Sequence, residues 1–588
     1  MTGNEAHELA STQSDRQSGS SMTRSLQIPL FGGRQIALAP WEAVFFGLLL
    51  VLLFLTRYLD LGSRAYHHDE SVHAKTMWDM ARGIKYVYEP VYHGPFQYFA
   101  SAALFWLFEG NDVTGRIIPA AFGVGVVLVI PLLWRKELGK YGTAITMLAL
   151  TVSTGFIYFS RFARNDIYVA FWTLLIFGSL VRYLDKPSPR WILLAGLAMG
   201  GSFVTKENTF ITGFIFVSFI ALLAAWTYLS PRLSGDDSAE MRKLRAAFRA
   251  LRADPEAIAY GLVIFLAVAV LFMSSFFTNP PGIRTAFVEA FTIWRDIHGT
   301  QRVNQPWFFY LMFLAVYEAF AAVFALAALW RIVRRPSVFT IMLLYWAAAS
   351  IFIYSVAGEK AAWLALHPVL PVILIAGWFA GKKLEEVRRR GVFWALAVVC
   401  MLLLGWTARH SIPTAFVYGD IPRDFVVYTQ TSRDVLEAME IMEEAGRRTG
   451  EGRNIPIYVE KEAHWPYAWY LREWNAVAFG PEVEEPPEQP IVLLSRQTAN
   501  KIGVEFVDYV GVQFKLREWF PEGVYKSWSW GSLVDLFRDR ANLTKLWRFL
   551  AFKEPPASLG STDFVMYVKR DILKAGPIGP FTYELPGR

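Results

Sequence analysis

Two adjacent carboxylates, Asp69 and Glu70, stand in the stretch YHHDESVHAK, directly after a long apolar run. Ionisable side chains close to lipid are costly and usually mark function. A carboxylate can accept the proton of a reacting hydroxyl, which suits both residues to acid–base chemistry. The alternative is a helix N-cap, because an acidic residue at the start of a helix is stabilised by the helix dipole. An N-cap explains one carboxylate better than it explains two.

Basic residues follow in a second polar stretch, SRFARNDIY. Arg161 and Arg164 are three residues apart, so a helix would present both on one face, where two guanidiniums suit a phosphate. The alternative for this pair is snorkelling to lipid headgroups. Asp166, in the same stretch, is better explained by pairing with an arginine or by a role as a second polar ligand.

Three further stretches carry polar residues between apolar runs. In YHGPF, His93 precedes a Gly-Pro turn that would aim its ring back toward the loop, although it could also be a turn residue without chemistry. Lys206 and Glu207 lie in TKENT, and Glu359 and Lys360 lie in AGEKAAW. The alternative for each of these two Lys–Glu pairs is a local ion pair without a role in binding. Cations that converge from several helices would neutralise an anionic group better than any one of them.

The elements that must position these residues are membrane helices. The chain of 588 residues is 54% hydrophobic and only 19% charged, whereas about 25% is usual for a soluble protein. Many of its apolar runs approach or exceed the ~20 residues that cross a bilayer as a helix. They are residues 41–59, 113–134, 142–159, 167–184, 190–205, 208–229, 256–277, 307–330, 338–356, 361–380 and 391–410. We therefore predict a polytopic α-helical membrane protein with about eleven spans.

The distribution of basic residues predicts which side of the membrane each loop faces. The short run 96–108 has the length of an interfacial helix in the first outer loop rather than a span. If it does not cross, the N-terminus and five basic loops share one side, which the positive-inside rule makes cytoplasmic. The polar stretches above then all face the outside of the cell membrane. The basic stretch 232–252 suits acidic lipid headgroups, and we expect no nucleic acid as a partner.

Composition divides the chain into three regions. Residues 1–40 are rich in small polar residues and are predicted to be a disordered cytoplasmic tail. Residues 41–411 form the membrane domain. Residues 412–588 have the composition of a soluble protein, with strand-like runs and a helix-like stretch that opens at Ser432, so we predict an extracytoplasmic α/β domain.

The order of these motifs resembles that of the membrane glycosyltransferases of the GT-C fold, among them the protein mannosyltransferase and lipid A aminoarabinose transferase types. HHDESVHA, YHGPF, SRFARNDIY, TKEN and HWPYAWYLREW look more specifically like a prokaryotic family of flippase-activity-associated proteins of glycosylation systems. The resemblance covers residues 40–410 and, in the outer domain, only HWPYAWYLR.

This resemblance implies a sugar donor linked to polyprenyl phosphate and used from the outer membrane face, with a protein or glycolipid hydroxyl as acceptor. It implies Asp69 as general base, with Glu70 and His93 arranging the site. For the donor phosphate we expect Arg161, Arg164, Lys206 and Lys360, and for the rest of the site His68, Asp166 and Glu207. No metal ligand is assigned. A divalent cation stays open as a cofactor, for which His67, His68, Glu70 and His93 could supply ligands.

Other functions stay open. An oligosaccharyltransferase shares the multi-span architecture and an outer α/β domain, but its WWDYG signature is absent from this sequence. A flippase accessory or transporter of lipid-linked sugars would use the outer cations without needing Asp69 as a proton acceptor, and no P-loop supports ATP-driven transport. A carbohydrate-binding role of the outer domain would use the aromatic run HWPYAWYLREW.

Overall fold

The computed structural model describes residues 26–30, 34–38, 40–234, 238–299, 304–526, 528–529, 531 and 538–582. The chain divides into two compact units, Met1–Leu55 and Thr56–Arg588. The first unit contains an antiparallel hairpin of β1 (Leu26–Leu30) and β2 (Arg34–Leu38) and most of the helix Pro40–Tyr58. Composition predicts a disordered tail over residues 1–40, whereas the structure has these two strands there. Their alternating apolar residues are typical of strands. The rest of the predicted tail, residues 1–25, 31–33 and 39, lies outside the described residues.

In the second unit the predicted apolar runs are largely helical. Its long helices before the C-terminal domain are Thr114–Val129, Arg135–Val152, Asp166–Asp185, Pro189–Phe203, Thr209–Ser234, Ala239–Ala253, Pro255–Met273, Ala319–Arg334, Val338–Val356, Leu366–Glu386 and Arg390–Phe416. Shorter helices in the same part are His68–Ala81, Phe96–Leu107, Thr154–Ser160, Ala290–Gly299 and Phe309–Tyr317. The C-terminal domain has the helices Asp434–Thr449, His464–Tyr470, Arg496–Ile502 and Arg540–Phe552.

Among the described residues, seven helices are long and apolar enough to cross a membrane, or up to eight if the bent pair Phe309–Tyr317 and Ala319–Arg334 counts as one span. One of the seven, Thr114–Val152, has 39 residues, about 58 Å of helix and roughly twice the hydrocarbon thickness. Gly139 breaks it with a φ of +73°, so this stretch holds two of the predicted spans. The chain is thus a multi-pass α-helical membrane protein, and the number of eleven passages stays a prediction.

Several of the loops predicted to be cytoplasmic contact one another. Lys243 in the helix Ala239–Ala253 lies 2.9 Å from Asp185, at the end of the helix Asp166–Asp185. Arg331 and Glu386, at the ends of two other helices, are 2.5 Å apart. The backbone N–H of Val338, just after the loop that follows Arg331, donates to Glu240 at 2.7 Å and joins the two pairs, so these basic loops share one end of the helix bundle.

The C-terminal domain is built on a six-stranded mixed sheet of order β3-β7-β8-β6-β4-β5. The strands are β3 (Thr429–Thr431), β4 (Ile457–Glu460), β5 (Val477–Gly480), β6 (Ile491–Ser495), β7 (Tyr509–Trp519) and β8 (Gly560–Lys569). β4 pairs in parallel with β5 and β6, and the other pairs are antiparallel. The predicted α/β architecture of this domain is present.

The aromatic run of this domain packs against the membrane domain. Trp469 Nε1 and Tyr470 Oη each donate a hydrogen bond of 2.8 Å to the carboxylate of Asp112. Tyr470 Oη also accepts from the backbone N–H of Tyr66 at 2.8 Å, and Gln430 Nε2 donates to the carbonyl oxygen of Ala65 at 3.0 Å. The domain is therefore fixed on the loop that carries Asp69.

Candidate active site

A cavity of about 370 Å³ lies where the first polar loop faces the C-terminal domain. Most of the predicted polar stretches reach it, together with Tyr428 and Trp465 of the C-terminal domain. Its polar and aromatic lining residues are His68, Asp69, His73, Tyr92, His93, Arg164, Lys206, Glu207, Asn208, Glu359, Trp363, Tyr428 and Trp465. Side chains that are far apart in the sequence thus converge on one space.

Asp69 stands in the first turn of the helix His68–Ala81, and its carboxylate accepts a hydrogen bond from the guanidinium of Arg164. Its backbone N–H donates to Nδ1 of the N-cap residue His67 at 3.0 Å. One third of the Asp69 side chain, 33%, remains exposed. Burial alone would raise the pKa of Asp69, but the positive charge of Arg164 holds this pKa well below its ordinary range. Asp69 is therefore ionised and accessible.

Glu70 points away from the cavity. Its carboxylate binds Arg116 through two hydrogen bonds of 2.8 Å and accepts the backbone N–H of Ala163 at 2.8 Å. It also accepts the backbone N–H of His67 at 3.0 Å, which completes a capping box. Burial would raise the pKa of Glu70, but Arg116 lowers it to about 2. The sequence predicts that Glu70 helps to arrange the site. Its hydrogen bonds to Arg116 and Ala163 join the first loop to neighbouring elements, and Glu70 does not line the cavity.

Two cations line the cavity and share one buried carboxylate. The guanidinium of Arg164 lies 3.6 Å from the centre of the Trp363 ring. Lys206 Nζ is 2.9 Å from both carboxylate oxygens of Asp166, which opens the helix Asp166–Asp185. Asp166 Oδ2 is also 3.9 Å from Arg164 Nε, and His367 Nε2 is 3.3 Å from Asp166 Oδ1. Asp166 therefore lies behind the cavity and holds both cations in place.

Two other predicted phosphate ligands do not reach the cavity. The helix Thr154–Ser160 ends before Arg161, so the assumed three-residue helical spacing to Arg164 does not apply. Arg161 instead donates to the carbonyl oxygens of Leu59 and Asp60 at 2.5 and 2.8 Å. Lys360 is buried beside the cavity residue Glu359 and is not part of the lining. Glu359 and Lys360 are consecutive residues of a non-helical segment, and their side chains face different sides.

His93 and Glu207 form a pair at the cavity wall, with Nδ1 2.9 Å from Oε2. The turn that carries His93 has a φ of +68° at this residue. It is held by the hydrogen bond from the Gly94 N–H to the carbonyl oxygen of Thr205 at 3.0 Å. A Cβ at position 94 would lie 2.2 Å from the carbonyl oxygen of Val204, so only glycine fits. None of the described residues hydrogen-bonds Nε2 of His93, which leaves this nitrogen for a ligand.

The remaining histidines of the first loop connect the cavity to its surroundings. His68 Nδ1 is 3.5 Å from Nη1 of Arg517 in β7. His73 Nδ1 is 2.5 Å from the hydroxyl of Tyr98. Burial, reinforced by the nearby Arg164, lowers the pKa of His73 to about 3, so this histidine is neutral.

Sequence reasoning missed several lining residues. AGEKAAW drew attention to Glu359 only as half of a local ion pair, and it gave no reason to select Trp363. Trp465 lies in the aromatic run HWPYAWYLREW, but neither this run nor the sequence around Tyr428 indicates contact with the first loop, because that contact depends on the docking of the C-terminal domain.

The residues do not fit the divalent cation that the sequence left open. Nδ1 of His67 accepts the Asp69 N–H, and Glu70 is bound by Arg116. In the described part of the chain, no group of three or more His, Cys, Asp or Glu side chains is arranged to hold a metal ion.

Comparison with known proteins agrees with this architecture. Residues 92–232 match the family model of dolichyl-phosphate-mannose-protein mannosyltransferases. The chain is similar to the crystal structure of ArnT from Cupriavidus metallidurans in the apo state, with 16% identity and a TM-score of 0.52 over 78% of this chain and 94% of that chain. For the same protein bound to undecaprenyl phosphate the identity is 16% and the TM-score 0.55, over 81% and 96% of the two chains.

A third match is the S. cerevisiae protein O-mannosyltransferase Pmt1-Pmt2 complex bound to the sugar donor, with 17% identity and a TM-score of 0.32 over 41% of this chain and 34% of that chain. No curated protein matches the sequence. The likeness to ArnT shows the fold. The predicted resemblance to GT-C mannosyltransferases and aminoarabinose transferases is therefore confirmed, whereas the narrower resemblance to flippase-activity-associated proteins stays a prediction.

Proposed function

We propose that this multi-pass membrane protein of GT-C fold is a glycosyltransferase that moves a sugar from a polyprenyl-phosphate-linked donor to an acceptor hydroxyl. The proposal depends on one observation: a carboxylate and two cations from three separate loops, Asp69, Arg164 and Lys206, line a single cavity. A neighbour of the same fold, ArnT, was crystallised with undecaprenyl phosphate, which supports a lipid phosphate as the carrier.

The reaction needs two kinds of group. The acceptor oxygen attacks C1 of the donor sugar and loses its proton to Asp69, the general base. The bond from C1 to the phosphate oxygen breaks, and the departing polyprenyl phosphate gains negative charge. Arg164 and Lys206 would stabilise that charge, since fixed cations aimed at a leaving group favour the transition state. The products are a glycoside and polyprenyl phosphate.

The contact between Asp69 and Arg164 links donor binding to the strength of the base. With Arg164 beside it, Asp69 has a low pKa and is a weak proton acceptor. A donor phosphate would compete for the Arg164 guanidinium and weaken this ion pair. The pKa of Asp69 would then rise toward its ordinary value, so that Asp69 becomes a better base once the donor is in place.

His93 and Glu207 supply a second polar pair beside Lys206. The carboxylate fixes the ring orientation, as in other histidine–carboxylate pairs. Nε2 of His93 would hydrogen-bond a sugar or acceptor hydroxyl and so orient it toward Asp69. This pair positions the substrate, while Asp69 accepts the proton.

The proposed orientation places the cavity and the C-terminal domain outside the cell membrane and the N-terminus in the cytoplasm. The basic loops contact one another, as Lys243 and Asp185 show, and this network shares no residue with the cavity. Basic loops favour the cytoplasmic side. A protein or a glycolipid in the outer leaflet would be the acceptor.

The test is transfer by the purified full-length chain in phospholipid nanodiscs. Radiolabelled dolichyl-phosphate mannose and undecaprenyl-phosphate mannose serve as donor probes, with solubilised membrane acceptors. We expect labelled product and release of polyprenyl phosphate. Asp69→Asn should lower the rate by roughly 10²–10⁴-fold, the usual contribution of a general base.

The matched control is Asp79→Asn on the same helix, because Asp79 pairs with Lys75 at 2.7 Å and does not line the cavity. It should retain transfer, and both variants should remain folded with a single cooperative melting transition, although Asp69→Asn should melt at a lower temperature because it removes the ion pair with Arg164. Full activity of Asp69→Asn would refute the assignment. Absence of transfer by the wild type, together with movement of lipid-linked sugar across the bilayer, would favour the flippase alternative.

A further inference from the structure

A second cavity, of about 420 Å³, lies in the C-terminal domain and shares no lining residue with the first. It opens at the carboxyl ends of the three parallel strands. Glu460 ends β4, Pro481 follows β5 and Ser495 ends β6, and all three residues line this space. We call this space the strand-end crevice. In open α/β sheets, this edge is where ligands bind.

The strand order gives the reason for the crevice. β5 pairs with one side of β4, and β6 pairs with the other side. The chain therefore leaves β4 toward one side and later crosses to the opposite side, which makes the junction of β4 and β6 a topological switch point. Connections that diverge from neighbouring strand ends leave a gap between them.

The floor of the crevice is rigid. The carboxylate of Glu460 accepts hydrogen bonds from the backbone N–H of Ser495 at 2.7 Å and from Thr498 Oγ1 at 2.8 Å. Glu460 is itself buried, with 2% of its surface exposed. Its oxygens are thus occupied by the protein, and the groups left for a ligand lie on the walls.

Asp563 on β8 is the wall residue with unused hydrogen-bonding capacity. Its Oδ2 accepts from Gln513 Nε2 at 2.7 Å and from Arg496 Nη1 at 3.2 Å. Its side chain is only 10% exposed, and Oδ1 has no partner among the described residues. A buried oxygen without a partner is unfavourable, so a turn of this carboxylate toward the crevice, where a ligand could donate to Oδ1, would be favoured.

The lining mixes donors with acceptors. Lys461, Arg496 and Gln497 supply donors, and Glu462, Glu482 and Asp563 supply acceptors. Several carboxylates disfavour a phosphate, and two cations disfavour a metal ion. A sugar hydroxyl both donates and accepts, and therefore suits such walls. We propose that the strand-end crevice binds a neutral saccharide.

Some residues that line the crevice are close neighbours in sequence of residues at the first cavity. Leu516 lines the crevice, and the next residue, Arg517, reaches His68 at the first cavity. Ala463 lines the crevice, and Trp465 lines the first cavity. Because the two sites are so close, we assign the bound saccharide to the acceptor substrate. This assignment rests on the proposed function, whereas the binding of a saccharide in the crevice does not depend on it.

Binding is tested with the full-length chain in phospholipid nanodiscs that contain no glycolipid, applied to an array of neutral and acidic glycans. We expect neutral glycans to be retained. Asp563→Ala and Gln497→Ala should each weaken binding roughly tenfold, as when one ligand hydrogen bond to a buried or charged group is lost. Arg548→Gln removes an exposed ion pair with Glu554 elsewhere in the domain and should bind like the wild type.

If no neutral glycan binds, or if both crevice variants bind normally while keeping the wild-type melting temperature, the inference is wrong. Asp69→Asn should still bind glycans, which separates failure of the crevice from failure of the proposed function. In the transfer assay with a glycosylated acceptor, Asp563→Ala should raise KM and leave kcat unchanged. An unchanged KM would remove the acceptor assignment.

Discussion

The ion pair of Asp69 and Arg164 determines how the site should respond to pH. In the free protein Arg164 lowers the pKa of Asp69, so Asp69 is ionised well below pH 3.9, the usual pKa of an aspartate. Removing the cation in Arg164→Gln should raise this pKa. The acidic limb of the profile of kcat/KM against pH, which reports the free enzyme, should then move to higher pH.

Arg164→Lys is the matched variant, because it keeps the charge and loses the planar guanidinium that lies on Trp363. Its acidic limb should stay close to that of the wild type, although its rate falls. Initial rates from pH 4 to pH 8 measure both effects. The same acidic limb in Arg164→Gln and in the wild type would contradict the proposed coupling.

At the residue scale, sequence identified much of the cavity lining. Asp69, His93, Arg164, Lys206 and Glu207 were expected at the site, and all of them line the cavity. Each lies in a polar stretch between apolar runs, a pattern that is visible without coordinates. Predictions that assumed helical spacing failed where the backbone is not helical, because spacing in the sequence then does not determine the direction of a side chain. The expected phosphate ligands that lie outside the cavity are Arg161 and Lys360.

At the scale of elements, Glu70 holds the helix His68–Ala81 on the membrane domain. Glu70→Gln would leave the Arg116 guanidinium buried without its counter-charge, and breaking a buried ion pair usually costs about 3–5 kcal/mol. We expect a clearly lower melting temperature by scanning fluorimetry at pH 7. Asp79→Asn on the same helix should have little effect, because its partner Lys75 is partly exposed. Equal stability of Glu70→Gln and the wild type would refute this role.

The same contact predicts a dependence of stability on pH. The pKa of Glu70 is lowered from 4.5 to about 2 in the folded chain. Between these values the unfolded chain binds more protons, so the stabilisation is fully present above pH 4.5 and is lost as the pH falls toward 2. Melting temperatures measured from pH 7 down to pH 3 should therefore converge for the wild type and Glu70→Gln. Curves that stay parallel would contradict this.

Hydrophobicity predicted the long helices but not their breaks. An apolar run shows where a helix is stable in lipid, but hydrophobicity alone did not predict the 109° bend between Phe309–Tyr317 and Ala319–Arg334. The one carboxylate within the run 307–330 stands where the helix breaks. Glu318 lies at the break, and one of its carboxylate oxygens accepts from Ser153 Oγ at 2.6 Å.

At the scale of the whole molecule, the C-terminal domain completes the site. Composition located this domain, but only the structure shows that it contributes Tyr428 and Trp465 to the first cavity. Such contacts have no local signature, because they join residues hundreds of positions apart. Transfer should therefore depend on how firmly the domain is docked.

Asp112 is the residue through which docking can be tested. It accepts hydrogen bonds from both Trp469 Nε1 and Tyr470 Oη and does not line either cavity. Asp112→Ala should loosen the domain and leave the reacting groups intact, since it removes two buried hydrogen bonds worth about 1–3 kcal/mol each. We expect faster amide hydrogen exchange in residues 464–470 and 66–81, together with slower transfer.

A control within the same domain is Arg453→Gln, which removes an exposed ion pair of 2.6 Å with Glu473. Its hydrogen exchange and transfer should match those of the wild type. If Asp112→Ala exchanges faster but transfers sugar normally, the domain would be dispensable for the chemistry, and the cavity walls from the membrane domain would suffice. If exchange rises only in these two segments and transfer slows with it, the two domains form one catalytic unit, because the change is then confined to the contact at Asp112.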